Sequence, residues 1–525
     1  MIQPQTQTPN YWVAKFAIKD ADIEQLYSHL IEVERPETAA QLARAIVHHR
    51  LNEERQEIKR RLSGRQVYQP QNEYAKGDEL VFPALEFAYG EVVDTRDGFN
   101  PQDGAFSVIA VNIDGKVREF ASGFAGQHTL NQENGDVLAA FDIRTVDEIY
   151  AMHGESITQK LAAALEQHKN FVRLGDLWFV KELLLDVNIG HMHLAEAVLD
   201  MAGGGPLATD EIMVHLDLDP DVSAEVRTFS TNYALLNDKR FDEVAPKNEI
   251  AWFLRRLQPE GVQNRPERLT YEPIPYDHAL LSPQLLLLER ELDDEWSNLE
   301  PSNVVHPVAL TLTYPHRWAG TLPLSSQVRP LFPSSNSPRQ MITFIDEQSG
   351  AEIPGWVVQF DRYIYGLQEW YEENGIPVGG FITLRPGPEP SVVLLDCDRR
   401  RGQREWVRLA TVVEGQIKFD LHRRTISCGF DDLMIVGTDF VEVIDVAWRR
   451  AEREKRSVAS LLATIFPELA NLNPQNTVHA KTLYSALNMF RRVPPGPLFA
   501  ELVRQPAFQH AGDHYWQFDR SRWTG

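Results

Sequence analysis

One motif is written three times in this chain. Phe171-Val-Arg-Leu-Gly-Asp-Leu-Trp178-Phe179 returns as Phe241-Asp-Glu-Val followed by Trp252-Phe253, and again as Phe508-Gln-His-Ala-Gly-Asp-His-Tyr-Trp516-Gln-Phe518. Each copy sets a Phe, a short polar turn and a Trp with an apolar neighbour directly after an amphipathic helical stretch. Recurrence of one supersecondary unit constrains the fold more than any single segment does. A chain built from three such units points to binding, bridging or regulation rather than to catalysis.

A helix running into a two-stranded hairpin, with aromatics at its base sealing a small core, is how a winged-helix unit ends. Three hairpins are therefore expected, at 171–180, 241–254 and 508–518. The 525 residues leave room for more, about three to five domains at the usual size. With 43% hydrophobic residues, 11 Trp, 15 Tyr and 25 Phe, the chain can build packed cores and is not broadly disordered. No apolar run reaches the ~20 residues of a membrane span, and Met1-Ile-Gln-Pro lacks the basic start of a signal peptide. Only Cys397 and Cys428 occur, which gives neither a disulfide framework nor a cysteine cluster for zinc. A cytoplasmic location is expected.

The formal net charge is −23, whereas phosphate neutralisation normally asks for a basic surface. The acidic average hides a C-terminal half with basic runs. Arg399, Arg400, Arg401, Arg404 and Arg408 form one, followed by Lys418, Arg423 and Arg424; Arg449, Arg450, Arg453, Lys455 and Arg456 form another.

Along the chain, residues 1–67 read as a helical N-terminal region, with Asp22 capping Ile23–Leu30 and a second helix from Pro36 and Glu37 to Leu62, ended by Gly64. Residues 68–127 hold short strands between the turn signals Lys76-Gly-Asp78, Asp97-Gly-Phe-Asn-Pro101 and Asp114-Gly115, the spacing of an SH3-like small barrel. The order Tyr74-x-x-Gly77-Asp-x-Leu-Val-Phe-Pro83, then Gly90-x-Val-Val93, resembles CarD-like and KOW-type barrels. That likeness implies RNA polymerase, or another protein, as a partner.

Winged helices are expected at 128–190 and 191–257. The second, through Leu194-x-x-Ala-Val-Leu, Gly205-Pro-Leu, Glu211-Ile and Asp238-x-Arg-Phe241, resembles the HARE-HTH type found in bacterial transcription-associated proteins and restriction systems. Thr209 is placed as a helix cap there. Residues 258–306, rich in proline, read as a linker with one helix from Pro283 to Leu299.

Residues 307–445 read as a β domain. Strands at Val308, Gln340–Ile345, Gly355–Phe360 and Phe381, with a helical Leu367–Asn374, resemble the DNA-binding pseudobarrel of plant auxin-response regulators and restriction-enzyme effector domains. Gly380 stands where that pattern carries an Asp. The resemblance implies two DNA-reading arms, matched here by Ser325, Gln327 and Arg329, then Gln359, Arg362, Tyr363 and Tyr365. Arg and Gln suit base edges and Tyr suits phosphate. Residues 446–525 read as a third winged helix, in which Lys481, Arg491 and Arg492 are placed as phosphate ligands.

Catalytic signals are thin. His191-Met-His193 has no third ligand nearby. Asp396-Cys-Asp398 beside Glu405 lacks the Lys of a nuclease site, and Arg399, Arg400 and Arg401 read better as a phosphate-facing turn. Neither a Walker loop nor a Gly-x-Ser-x-Gly elbow occurs. The expectation is therefore an α+β multidomain protein with repeated winged-helix units, an SH3-like barrel and a pseudobarrel-like domain. It is expected to act without catalysis, metal or cofactor as a bacterial DNA-binding or transcription regulator whose partner is double-stranded DNA. The alternative is a protein-interaction scaffold or a recognition subunit of a defence or restriction-type system.

Overall fold

The computed structural model describes residues 5–62, 66–85, 88–100, 104–126, 128–131, 144–246, 249–302, 307–332 and 337–524. Met1–Pro4, Gly64, Pro101, Pro333, part of the 128–190 segment, and the side chains of Ile58 and Leu62 lie outside what is described. With 39% helix and 27% strand the protein is mixed α+β. It divides into two compact units, Met1–Asp186 with Leu218–Tyr233, and Val187–Asp217 with Ala234–Gly525.

All three expected hairpins are present: Phe171–Leu174 with Leu177–Val180, Phe241–Glu243 with Ala251–Leu254, and Phe508–Gly512 with Tyr515–Phe518. Each gains a third strand that the sequence reading did not foresee. A two-residue strand pairs antiparallel with the second hairpin strand, opposite the Trp: Glu37 faces Trp178, Leu207 faces Trp252, and Val478 faces Trp516. Each such strand runs straight into a helix, at Ala39, Thr209 and Ala480. One topology thus recurs three times: helix, two-residue strand, two helices, hairpin.

In the first unit this pairing redraws the expected boundaries. Strand Glu37–Thr38 belongs to the 171–180 hairpin, and Leu26, Leu30, Leu42 and Ile46 share one core with Ile157, Leu161 and Trp178. Residues 5–62 and 144–180 therefore share one core, and the sheet between them is an insertion within it. That sheet has five strands in chain order, from Gln66–Val67 to Lys116–Ser122, around Leu80, Phe82, Val92, Ile109 and Val111. Asp22 is not the cap of its helix. It is the third helical residue of Asp20–Val33, accepting from the Lys19 N–H at 2.7 Å and from Arg50 at 2.7 Å.

In the second unit a seven-stranded sheet curls into half a barrel. It is antiparallel except where Arg339–Asp346 meets Val392–Asp396. Phe344, Val357, Ile364, Leu384, Leu395 and both free cysteines fill it. A long ribbon, Arg399–Val413 with Gln416–Cys428, follows. Thr209 begins its helix rather than capping it, and its hydroxyl accepts the Trp252 indole N–H at 3.3 Å. The described part of the expected linker, 258–302, is a packed strap, because Val262, Leu269, Leu285 and Leu288 are buried along it. Its helix ends at Leu292, seven residues early, where Asp293 takes a left-handed φ of 39°.

Candidate nucleic-acid interface

Most of the basic residues singled out in the sequence hold the fold together. Arg492 is 1% exposed and donates to Asp294 and Glu295, each at 2.7 Å. Tyr484 also donates to Asp294, and His316 faces Glu295 at 3.3 Å. Desolvation raises the Asp294 pKa; for Glu295 desolvation pushes the same way, but Arg492 and His316 outweigh it and hold the carboxyl down. Lys481 is held by Glu291 and, at 2.8 Å, by Asp431. Arg491 donates to the Arg456 carbonyl. Arg492 and Lys481 are held by carboxylates and present no charge for phosphate, which corrects their placement as ligands; Arg491 is half-buried on a carbonyl.

The two expected reading arms fare similarly. Ser325 is buried, and its hydroxyl donates to Asp293. The Gln327 backbone N–H donates to the same carboxylate at 3.1 Å. Tyr363 is buried and donates to the Gly261 carbonyl at 2.7 Å. Gln359 is half-buried, its N–H on the Pro338 carbonyl at 3.0 Å. Arg362 sits in a tight turn at φ +58°, lies 5.0 Å over the Trp296 ring and donates to the Glu295 carbonyl at 3.1 Å. Arg329 is half-buried and has no carboxylate pair among the described residues; burial, then the neighbouring Arg362 charge, lowers its pKa.

Arg399 also turns inward. It donates to Asp346 and to Asn374 at 2.6 Å each, and to Gln348 at 3.0 Å. Burial opposes ionisation of Asp346, but the Gln348 N–H, Arg399 and the Trp370 indole together lower its pKa to about 2. Asp346, Asn374 and Arg399 wall a cavity of about 560 Å³ with Trp356, Tyr365 and Trp370. Asp396 and Asp398 are occupied by Gln348 and Arg400, so the loose carboxylate cluster does not assemble. His191 accepts from the Asn188 N–H, and His193 meets Arg240. Among the described residues no group of three His, Cys, Asp or Glu is placed to hold a metal.

Among the described residues, the ribbon keeps several of its cations exposed. A bulge between Arg399 and Gln403 places four steps of one strand against two of the other, the device that re-aims side chains at a sheet edge. Arg400 and Arg401 sit in it, exposed, Arg400 beside Asp398 and Arg401 with no ionic partner among the described residues. Beyond it, Arg404, Trp406, Leu421, His422, Arg423, Arg424 and Thr425 are exposed. The register pairs Arg404 with Thr425, Trp406 with Arg423 and Arg408 with Leu421. Paired residues share a face, and alternate positions share it too. One face therefore carries three arginines, a Trp, a Leu and a Thr, with no acid. The opposite face carries Glu405 and Arg424, the latter paired to Asp439 at 2.5 Å.

Trp406, Arg404 and Arg423 were missed as site residues. The signal was present as two basic runs on either side of Gln416, but only the strand register puts them on one face.

No protein-family model, curated protein or solved structure matches the chain.

Proposed function

We propose that the protein is a non-catalytic, DNA-binding or transcription-associated component that engages DNA through the 399–428 ribbon. The single observation carrying this is the acid-free face of Arg404, Trp406, Arg408 and Arg423 on a chain of net charge −23. The exposed arginines of this face and of the bulge beside it, Arg404, Arg423 and Arg401, are placed to supply phosphate contacts. A concentrated basic face acts within a Debye length, about 8 Å at physiological salt, so the distant acidic surface does not cancel it.

On this reading the three helix–strand–helix–helix–hairpin repeats are winged helices that serve as protein modules, and the inserted five-stranded sheet is an SH3-like barrel. The third helices of the first and last repeats support that role. Helix Val146–Glu166 shows solvent Met152, Glu155, Gln159 and Glu166, a face without free cations. Helix Pro495–Arg504 buries Pro495 through Ala500 and packs on helix Pro283–Leu292. Neither is disposed to enter a groove. The same observation favours a second reading, a protein-interaction scaffold of a defence or transcription complex.

Salt dependence separates the two. A ribbon that neutralises three or four phosphates gives a log–log slope of about −3 in affinity between ~50 and ~200 mM salt. A scaffold gives no salt-dependent DNA binding at all, and that result would sink the proposal.

A further inference from the structure

The centre of the ribbon's acid-free face is an aromatic side chain, which narrows the form of nucleic acid it takes. Trp406 remains 55% exposed, and the Arg423 guanidinium lies 4.9 Å from its ring centroid. An exposed tryptophan offers a large, rigid apolar ring for a ligand to cover. Leu421, also exposed, sits diagonally across the strands from it, and Arg404 stands two residues before it on the same face.

We infer that this face binds single-stranded DNA or RNA, with Trp406 as the platform for one unpaired base. The inference rests on the nucleic-acid reading of the same ribbon. In a closed duplex the faces of the bases are stacked on one another, so an indole inserted in the groove meets only edges and backbone. In a single strand every base offers a π-face, and stacking on an aromatic residue is tolerant of sequence. Arg423 already fixes the ring from one side by a cation–π contact. Arg404 and Arg401 lie along the strand on the bulged side of the ring, where the backbone phosphates of a strand crossing the ribbon would pass. Arg408 serves a different purpose. It donates to the Asp432 carbonyl at 2.8 Å and to the Ile435 carbonyl at 3.3 Å, tying the ribbon to the loop behind it. Its cation still adds to the field of the face. The partner is thus recognised by stacking and charge rather than by base-edge hydrogen bonds, and the binding should show little sequence preference.

The test uses the full chain and two probes of identical base composition, a single-stranded oligonucleotide of about 16 nucleotides and its closed hairpin duplex, a length that spans a typical single-strand site. Trp406→Ala is expected to weaken single-strand binding about tenfold or more and duplex binding several-fold less than that, because the stacking term is lost and the charges are kept. Trp406→Phe should retain most of the single-strand affinity, which separates stacking from any disturbance of the fold. Arg404→Ala with Arg423→Ala should weaken both probes and flatten the salt dependence. The inference is overturned if the chain prefers the duplex, or if Trp406→Ala weakens both probes alike. Binding of neither probe at low salt defeats the underlying nucleic-acid reading instead.

Discussion

Arg492 and Asp294, separated by 198 positions along the chain, meet at 2.7 Å with both side chains 1% exposed. A buried pair of this kind is weak evidence for added stability, but losing one partner strands the other charge. Arg492→Ala should therefore destabilise the second unit by about 3–5 kcal/mol in denaturant unfolding. Arg492→Met combined with Asp294→Asn and Glu295→Gln should recover much of that loss. If Arg492→Ala unfolds like the wild type while DNA affinity falls, the residue is a phosphate ligand after all.

The recurring tryptophans make a second expectation. Trp178, Trp252 and Trp516 are all buried, each across from a two-residue strand. Replacing any one with Ala should cost about 3–5 kcal/mol. Trp252→Phe keeps the ring packing and loses the bond to Thr209, a loss of about 1 kcal/mol. Equal destabilisation by Ala and Phe at position 252 would show that the hydrogen bond, not the packing, anchors that repeat.

These hairpins were legible because the Phe, the polar turn and the Trp lie within a dozen or so residues of one another and carry their own spacing. The third strands were not. Glu37–Thr38 is two residues long, shows no periodicity, and finds its partner only at Leu177–Trp178. The same distance problem misled the reading of charge. Sequence shows that Arg399, Lys481 and Arg492 are cationic, but not that Asp346, Glu291 and Asp294 wait for them far along the chain. Proline misled it differently: the prolines between 258 and 302 punctuate a strap of short helical segments, among which Leu269, Leu285 and Leu288 are buried. Trp406 was invisible as a site residue because its neighbours on the ribbon are across the strand, at Arg423, rather than beside it.

A pH dependence follows from His479. The ring is buried, and its Nδ1 accepts the Lys481 N–H at 3.1 Å, which requires the neutral form. Burial first, then the charges of His514 and Lys481, lower its pKa from 6.5 to about 4, against the opposing pull of Asp431 and Glu291. A histidine that resists protonation when folded favours the folded state above the unfolded pKa. That contribution is lost as pH falls from 6.5 toward 4, and after solvent screening it is on the order of 2 kcal/mol. Unfolding free energy should drop over this window, and His479→Asn should flatten the drop. A His479→Asn protein with the wild-type profile would assign the acid sensitivity elsewhere.

The last prediction sets Arg362 against Arg401. The pseudobarrel resemblance makes Arg362 a base-reading residue, yet its guanidinium is spent on Trp296 and on the Glu295 carbonyl. Its backbone also holds a φ of +58°, where a side chain is disfavoured and glycine is not. Arg362→Ala should lose the cation–π and hydrogen-bond contacts, about 1–2 kcal/mol of stability, with no change in the salt slope of DNA binding. Arg362→Gly should lose less, because relief of the turn offsets part of that cost. Arg401 is exposed and makes no hydrogen bond or ion pair among the described residues. Arg401→Ala should leave unfolding within about 0.5 kcal/mol of wild type and flatten the salt slope by about one unit. Running both measurements on all three variants makes the comparison decisive. Should Arg362→Ala flatten the slope and Arg401→Ala leave it unchanged, the DNA face lies at the 359–362 turn and not on the ribbon.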